Sequence, residues 1–138
     1  MAVTAAQYTQ MRNAGFLGDG PVGAAITLYD LTMCFIDATD GQLTNVINGG
    51  ANKLAGIVAQ GGADNSAGAD GDVDGEFYQE GEFLLTGSGF AADDVGKKIY
   101  ATDNYAVNLT STSRTYIGTV TKFASATQVW VKIDVQLP

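Results

Sequence analysis

The sequence contains no histidine and a single cysteine, Cys34, among its 138 residues. Without histidine, Ser-His-Asp triads, Cys-His dyads and histidine metal sites are excluded. With one cysteine, neither a disulfide within the chain nor a cysteine zinc site can form. These absences disfavour an enzyme, and we expect neither a catalytic residue nor a cofactor.

Positive charge and long apolar runs are also scarce. Seven basic residues against fifteen acidic ones give a net charge of −8, which repels nucleic-acid phosphates and predicts no nucleic-acid partner. No apolar run reaches the roughly 18 to 20 residues of a membrane span, so we expect no membrane contact. The first residues, Met1 to Thr4, lack the basic and apolar regions of a signal peptide, which favours folding in a cytoplasm.

The first twenty residues predict a short helical arm. A Thr-x-x-Gln capping box begins at Thr4, and the apolar residues after it fall at helical spacing, which predicts a helix over residues 5–14. The glycine-rich stretch 18–21 predicts a flexible joint. Two interpretations stay open for residues 1–20: the helix packs on its own domain, or the arm docks on a partner. Tyr8, Met11, Phe16 and Leu17 form an apolar set on the arm.

Residues 21–138 predict an all-β body that forms a single domain, a small barrel or sandwich of short strands. Turn signals recur about every 8 to 12 residues between apolar and β-branched runs. The clearest strand is 128–135, in which apolar residues alternate with polar ones and Trp130 falls on the polar face. An exposed tryptophan is often an interface anchor, but a neighbouring loop covering it is an equal alternative. Gly118, inside another strand, predicts a bulge or a close backbone approach.

Residues 60–76 have little apolar bulk and predict an exposed loop. Within it, Asp70, Asp72 and Asp74 alternate as in the first half of a calcium loop. The glutamate that an EF-hand needs at its twelfth position would be residue 81, which is Gly81. A solvated acidic loop is therefore favoured over a calcium or magnesium site on these three aspartates. Cys34 lies in an apolar run and predicts a buried, inert thiol.

A series of short strand segments in the second half of the chain carries a resemblance. In chain order the segments are Leu54–Val58 (LAGIV), Gly81–Leu85 (GEFLL), Asp94–Tyr100 (DVGKKIY), Tyr116–Val120 (YIGTV) and Val129–Ile133 (VWVKI). In this order they resemble the small β-rich head decoration, or cement, proteins of tailed bacteriophages. The resemblance covers roughly residues 54–135 and leaves out residues 1–53 and the loop 60–76.

The resemblance implies a structural protein, assembled in the host cytoplasm, that binds the outside of the expanded capsid and stabilises it. Its partners would be the major capsid protein and neighbouring copies of itself, as a homotrimer on the shell. An N-terminal arm in such proteins commonly reaches the shell or a neighbouring protomer. The candidate capsid- or protomer-binding residues are therefore Tyr8, Met11, Phe16, Leu17 and Trp130.

Two other functions stay open. The aspartates of the acidic loop, together with Trp130, suggest a calcium- or glycan-binding β module of a fibre or surface layer. Another structural role in a phage head or tail is separated poorly from decoration by the sequence.

Overall fold

The computed structural model describes residues 11–14 and 17–135, and within them it confirms the predicted all-β fold. The strands are β1 (Met11–Ala14), β2 (Leu17–Pro21), β3 (Ile26–Leu28), β4 (Met33–Ile36), β5 (Leu43–Thr44), β6 (Lys53–Val58), β7 (Ala63–Asn65), β8 (Asp74–Tyr78), β9 (Gly81–Gly87), β10 (Lys98–Ala101), β11 (Ala106–Asn108), β12 (Thr115–Ser125) and β13 (Gln128–Ile133). Short 3-10 turns cover Asn48–Gly50 and Ala92–Asp94. No helix in these residues is long and apolar enough to cross a membrane.

Five strands of the second half close into a small barrel. Their order is β9-β11-β10-β12-β13, and β13 returns to pair with β9. The β9–β11 pair is parallel, whereas the other neighbours in the barrel are antiparallel. Strand β1 joins the same sheet by pairing with β9. Closure gives every barrel strand two neighbours, which removes the open edges through which sheets aggregate.

The first half forms a second, antiparallel sheet in the order β2-β8-β6-β4-β5. This sheet curls until its two outer strands nearly meet. Val22, directly after β2, forms a bridge with Leu43 of β5, and the Gly23 amide donates a 2.9 Å hydrogen bond to the Leu43 carbonyl. The two-stranded ribbon β3–β7 contributes Leu28 and Ala63 to the core that the curled sheet encloses.

Strands β4 and β6 are buried on both faces, and each contributes to two apolar cores. On one face, Met33, Phe35 and their neighbours on β6 join the barrel interior in the larger core. On the other face, Cys34 of β4 faces the smaller core inside the curled sheet. Burial raises the pKa of the Cys34 thiol to about 12, which keeps it protonated and confirms the predicted buried, inert cysteine.

The described part of the N-terminal region differs from the predicted arm. Met11–Ala14 is a strand that pairs with β9, whereas residues 5–10 of the predicted helix lie outside the described residues. The predicted flexible joint is strand β2, which pairs along its whole length with β8. The predicted boundary after residue 20 therefore falls inside a strand. A helix this short has little stability of its own, and strand β8 and the part of β9 that β11 does not cover offer hydrogen bonds instead.

The predicted exposed loop, residues 60–76, is ordered around a buried amide. Asn65, on β7, is only 2% exposed. Its Nδ2 donates to the carbonyl oxygens of Val22 at 3.1 Å, Gly23 at 2.9 Å and Ala69 at 2.9 Å. The predicted exposure is confirmed for most of residues 60–76, whereas Asn65 is buried and its side chain donates to the backbone of the loop and of the segment after β2. The Asn65 amide thus fastens the loop to the second sheet.

We expect Asn65→Ala to lower the free energy of unfolding by about 1–3 kcal/mol, because buried carbonyl oxygens lose their donor. Chemical denaturation of both proteins measures the difference. The exposed neighbour Ser66 provides the matched control, and Ser66→Ala should change stability by less than about 0.5 kcal/mol. Equal effects of the two substitutions would show that the amide does not hold the loop.

Gly118 is the site of a close backbone approach, as the sequence predicted. It pairs with Ile133 of β13, and a Cβ atom at residue 118 would collide with the Lys132 carbonyl oxygen. The collision partner is backbone in a paired strand, so it cannot turn aside as the end of a side chain can. Glycine is therefore required at this position of β12, which lies between β10 and β13.

We expect Gly118→Ala to destabilise the protein by about 1–3 kcal/mol through overpacking. Gly20 of β2 is the matched control, because a Cβ there would meet the Leu43 side chain at an ordinary 3.5 Å. Thermal melting of both variants measures the difference. If Gly20→Ala lowers the melting temperature as much as Gly118→Ala does, the cost is a general one of replacing strand glycines.

Candidate interaction surface

Trp130 lies on the outer face of the barrel. Along β13 the apolar residues Val129, Val131 and Ile133 are buried, Trp130 is half-buried and Lys132 is exposed. The alternation predicted for this strand is confirmed. The sequence left two states open for Trp130, an exposed side chain and one covered by a neighbouring loop. The structure shows an intermediate state, in which the side chain is partly exposed.

The sheet holds Trp130 between two neighbouring strands. Trp130 pairs with Lys122 of β12 on one side and with Leu84 of β9 on the other. The Thr121 hydroxyl lies 3.2 Å from the Trp130 carbonyl oxygen and 2.7 Å from Glu82 Oε2. The position of Trp130 on the surface is thus fixed by paired backbone rather than by a mobile loop.

Strand β9 lies between β1, which contains Met11, and β13, which contains Trp130. Phe83 of β9 pairs with Met11 on one side and with Val131, the residue after Trp130, on the other. Residues far apart in the sequence therefore occupy neighbouring strands. Sequence reasoning placed Met11 on a helix, and only the pairing of β1 with β9 shows this relation.

Leu17 lies next to the same region from the second sheet. It is 52% exposed, and its backbone pairs with Tyr78 at the end of β8. The Tyr78 ring packs against the Phe83 ring at 6.1 Å between centroids. We call Leu17 and Trp130 the candidate surface, whereas Met11 pairs with the buried Phe83 and is not counted with them. The other two predicted residues, Tyr8 and Phe16, lie outside the described part of the chain.

Sequence reasoning missed an aromatic pair on the outer face of the barrel. The rings of Tyr100 and Tyr116 meet edge to face at 5.9 Å, and Lys98 Nζ lies 5.7 Å from the Tyr116 ring centre. The Tyr116 hydroxyl donates a 3.0 Å hydrogen bond to Asp134, and burial followed by this contact raises the pKa of Tyr116. These residues come from separate strands, so only the alternation around residue 100 hinted at an outward-facing tyrosine.

The net charge is concentrated in one half of the fold. Residues 17–78 hold nine acidic residues and one lysine, a balance of −8, whereas residues 81–135 hold five residues of each sign. The barrel that carries Trp130 is thus neutral. The acidic residues of the first half are Asp19, Asp30, Asp37, Asp40, Asp64, Asp70, Asp72, Asp74 and Glu76.

The three aspartates considered for calcium do not form a metal-binding group. Asp70 Oδ1 accepts a 2.7 Å hydrogen bond from the Ala24 amide, and Asp72 Oδ2 accepts one of 2.9 Å from the Ala69 amide. Asp74 lies on β8, opposite Pro21. Within residues 11–14 and 17–135, no three carboxylate or cysteine side chains are placed to hold an ion. Asp70 and Asp72 accept backbone hydrogen bonds in the loop instead.

A buried carboxylate shapes the entry to the barrel at the segment Asp94–Tyr100. Asp94 Oδ2 accepts a 2.8 Å hydrogen bond from the Ala91 amide, and Oδ1 forms a 2.9 Å ion pair with Lys97. The Lys97 contact, followed by the Ala91 hydrogen bond, lowers the pKa of Asp94, and the same contact raises the pKa of Lys97. The turn before β10 is therefore stabilised by the ionised form of Asp94.

Comparison of the chain with protein-family models, with curated proteins and with solved structures finds no match.

The lowered pKa of Asp94 predicts a pH-dependent contribution to stability. A carboxyl group whose pKa is lower in the folded state stabilises the fold above its unfolded pKa and loses that effect as the pH falls through its folded pKa. We expect Asp94→Asn to lower the melting temperature at neutral pH and the difference from wild type to shrink below about pH 3.8. The exposed neighbour gives the control Asp93→Asn. A difference that stays constant across the acid range would contradict this assignment.

Proposed function

We propose that the protein is a structural virion protein that binds the outer surface of the expanded capsid of a tailed phage and stabilises it. The observation that carries the proposal is the position of the segments resembling decoration proteins. The segments beginning at Gly81, Asp94, Tyr116 and Val129 supply β9, β10, β12 and β13, which are four of the five barrel strands. Four of the five segments therefore belong to one folded unit, and the fifth, Leu54–Val58, lies in β6 of the second sheet.

The fold suits a protein that is displayed in many copies. A closed barrel presents no long open edge, so crowded copies do not pair strand to strand into fibres. A cement protein acts by burying area across the seam between capsid subunits. Each contact can be modest in such an assembly, because repeated sites on one shell add up. The neighbouring partners in this proposal are the major capsid protein and further copies of the chain, as a homotrimer on the shell.

The candidate surface supplies the contact in this proposal. Leu17 is more exposed than Trp130, and it belongs to neither apolar core. It can therefore be changed without disturbing the interior. Trp130 adds a large, half-buried ring held in a paired strand, which is the kind of rigid aromatic residue that dominates many interfaces.

The test is co-sedimentation of the purified protein with expanded shells, from the source phage, that lack it. We expect saturable binding at a fixed ratio to the capsid protein, and weaker binding to shells that have not expanded. An absence of binding to intact, expanded shells would overturn the proposal. Such a result would favour another head or tail role or the glycan-binding alternative.

We expect Leu17→Ser to weaken shell binding about tenfold, because burying a leucine contributes on the order of 1.5 kcal/mol or more. Val46→Ser is the matched control. Val46 is 41% exposed and lies in a cleft with Thr102 and Asp103, beside the end of the barrel opposite Lys122 and Trp130. Equal binding by the two variants would show that the candidate surface does not contact the shell. The proposal that the protein binds the shell would still stand.

A further inference from the structure

We propose that Asn48 is a site of spontaneous deamidation in the folded protein, through attack by the backbone nitrogen of Gly49. Asn48 is the one asparagine in the sequence that is followed by glycine. Both residues are exposed in the 3-10 turn that follows β5. The inference concerns chemical modification of the chain, and it does not depend on the proposed function.

The surroundings of Asn48 leave its side chain and the attacking nitrogen accessible. The side-chain amide of Asn48 makes no hydrogen bond to any residue that the structure describes. A Cβ placed on Gly49 would have no atom within 4 Å, so the backbone of Gly49 has room to move. Asn48 has a φ of 49° and Gly49 a φ of 61°, so both residues lie in the left-handed region, which asparagine and glycine adopt more readily than other residues.

The reaction requires only the chain and solvent. The Gly49 nitrogen forms a bond to Cγ of Asn48, and the bond from Cγ to Nδ2 breaks. Ammonia leaves with the proton from the Gly49 nitrogen, and a five-membered succinimide remains. Water then opens either carbon–nitrogen bond of the ring, giving aspartate by one route and isoaspartate by the other. No group is oxidised or reduced, and the product adds one negative charge to the chain.

Two other asparagines and two of the aspartates that precede a glycine are held by hydrogen bonds. Asn65 and Asn52 are buried, and their amides donate hydrogen bonds. Two of the Asp-Gly pairs have a carboxylate that is already bonded, since Asp40 Oδ1 accepts from the Gln42 amide at 2.9 Å and Asp70 Oδ1 from the Ala24 amide at 2.7 Å. An ionised carboxylate is also a poorer target for nucleophilic attack than an amide. Asn48 is thus the asparagine of this sequence that combines a following glycine with an exposed position.

The modification would alter a defined region of the surface. Asn48 and Gly49 line a cleft of about 230 Å³ together with Val46 and Asp103. The product places a second carboxylate in the lining of this cleft. Isoaspartate also lengthens the backbone within a turn that depends on hydrogen bonds from Gly50 to Ile47 at 3.0 Å and from Ala51 to Asn48 at 3.1 Å.

The test incubates the folded full-length protein at mildly alkaline pH and follows peptides by mass spectrometry, with enzymatic methylation to detect isoaspartate. We expect aspartate and isoaspartate to accumulate at residue 48. The longer side chain of glutamine cannot form the five-membered ring. The Asn48→Gln variant should therefore not give the more acidic species. Asn108, which is followed by leucine, serves as the internal control in the same sample.

Two results would overturn the proposal. The first is product at Asn48 only in protein unfolded by urea, which would show that the turn protects the residue. The second is an acidic species of equal amount in wild type and Asn48→Gln, which would place the modification elsewhere. Circular dichroism of the incubated samples establishes that the chain stayed folded during the reaction.

Discussion

Burial of β4 and β6 on both faces is the constraint on which the rest of the structure depends. Met33, Phe35, Leu54 and Ile57 are at most 2% exposed and contact the barrel side of the core. Full burial of each such side chain contributes about 1.5–3 kcal/mol. Because the opposite face of the same strands covers the smaller core, the barrel and the curled sheet cannot separate without exposing apolar surface on both. Hydrogen bonds across the boundary, such as that from the Met33 amide to the Asn104 carbonyl at 2.7 Å, fix how the two sheets meet.

Local patterns predicted the elements that are governed by local rules. Alternation in 128–135 predicted β13 and the outward position of Trp130, because one face of that strand is buried and the other is not. The apolar run around Cys34 lies in the predicted β body, and its lack of alternation matches a strand covered on both faces. Gly118 was predicted to be a bulge or a close backbone approach, because a glycine inside a strand often marks one of the two, and the structure shows the close approach.

The features that the sequence did not predict depend on partners distant in the chain. Met11–Ala14 has helical spacing, but its conformation is set by the edge of β9, about seventy residues away. The loop after β7 looked solvated because its composition is polar, whereas one buried asparagine supplies its order. The candidate surface was predicted only as single residues. The position of Trp130 between β9 and β12, and the Tyr100–Tyr116 pair farther along β12, arise from strand pairings that no local pattern encodes.

Closure of the barrel by β9 and β13 also bears on how the chain folds as it is synthesised. Strand β9 begins at residue 81, but its partner β13 ends at residue 133, so the ring stays open until the last of its strands has left the ribosome. Until then Phe83 and Leu85 lack part of their cover, and so does the barrel-facing side of β4. All strands of the curled sheet are synthesised before β13. The larger apolar core, to which its strands β4 and β6 contribute, is still incomplete at that point. Folding of both halves is therefore completed only when β13, the last strand of the ring in chain order, takes its place beside β9.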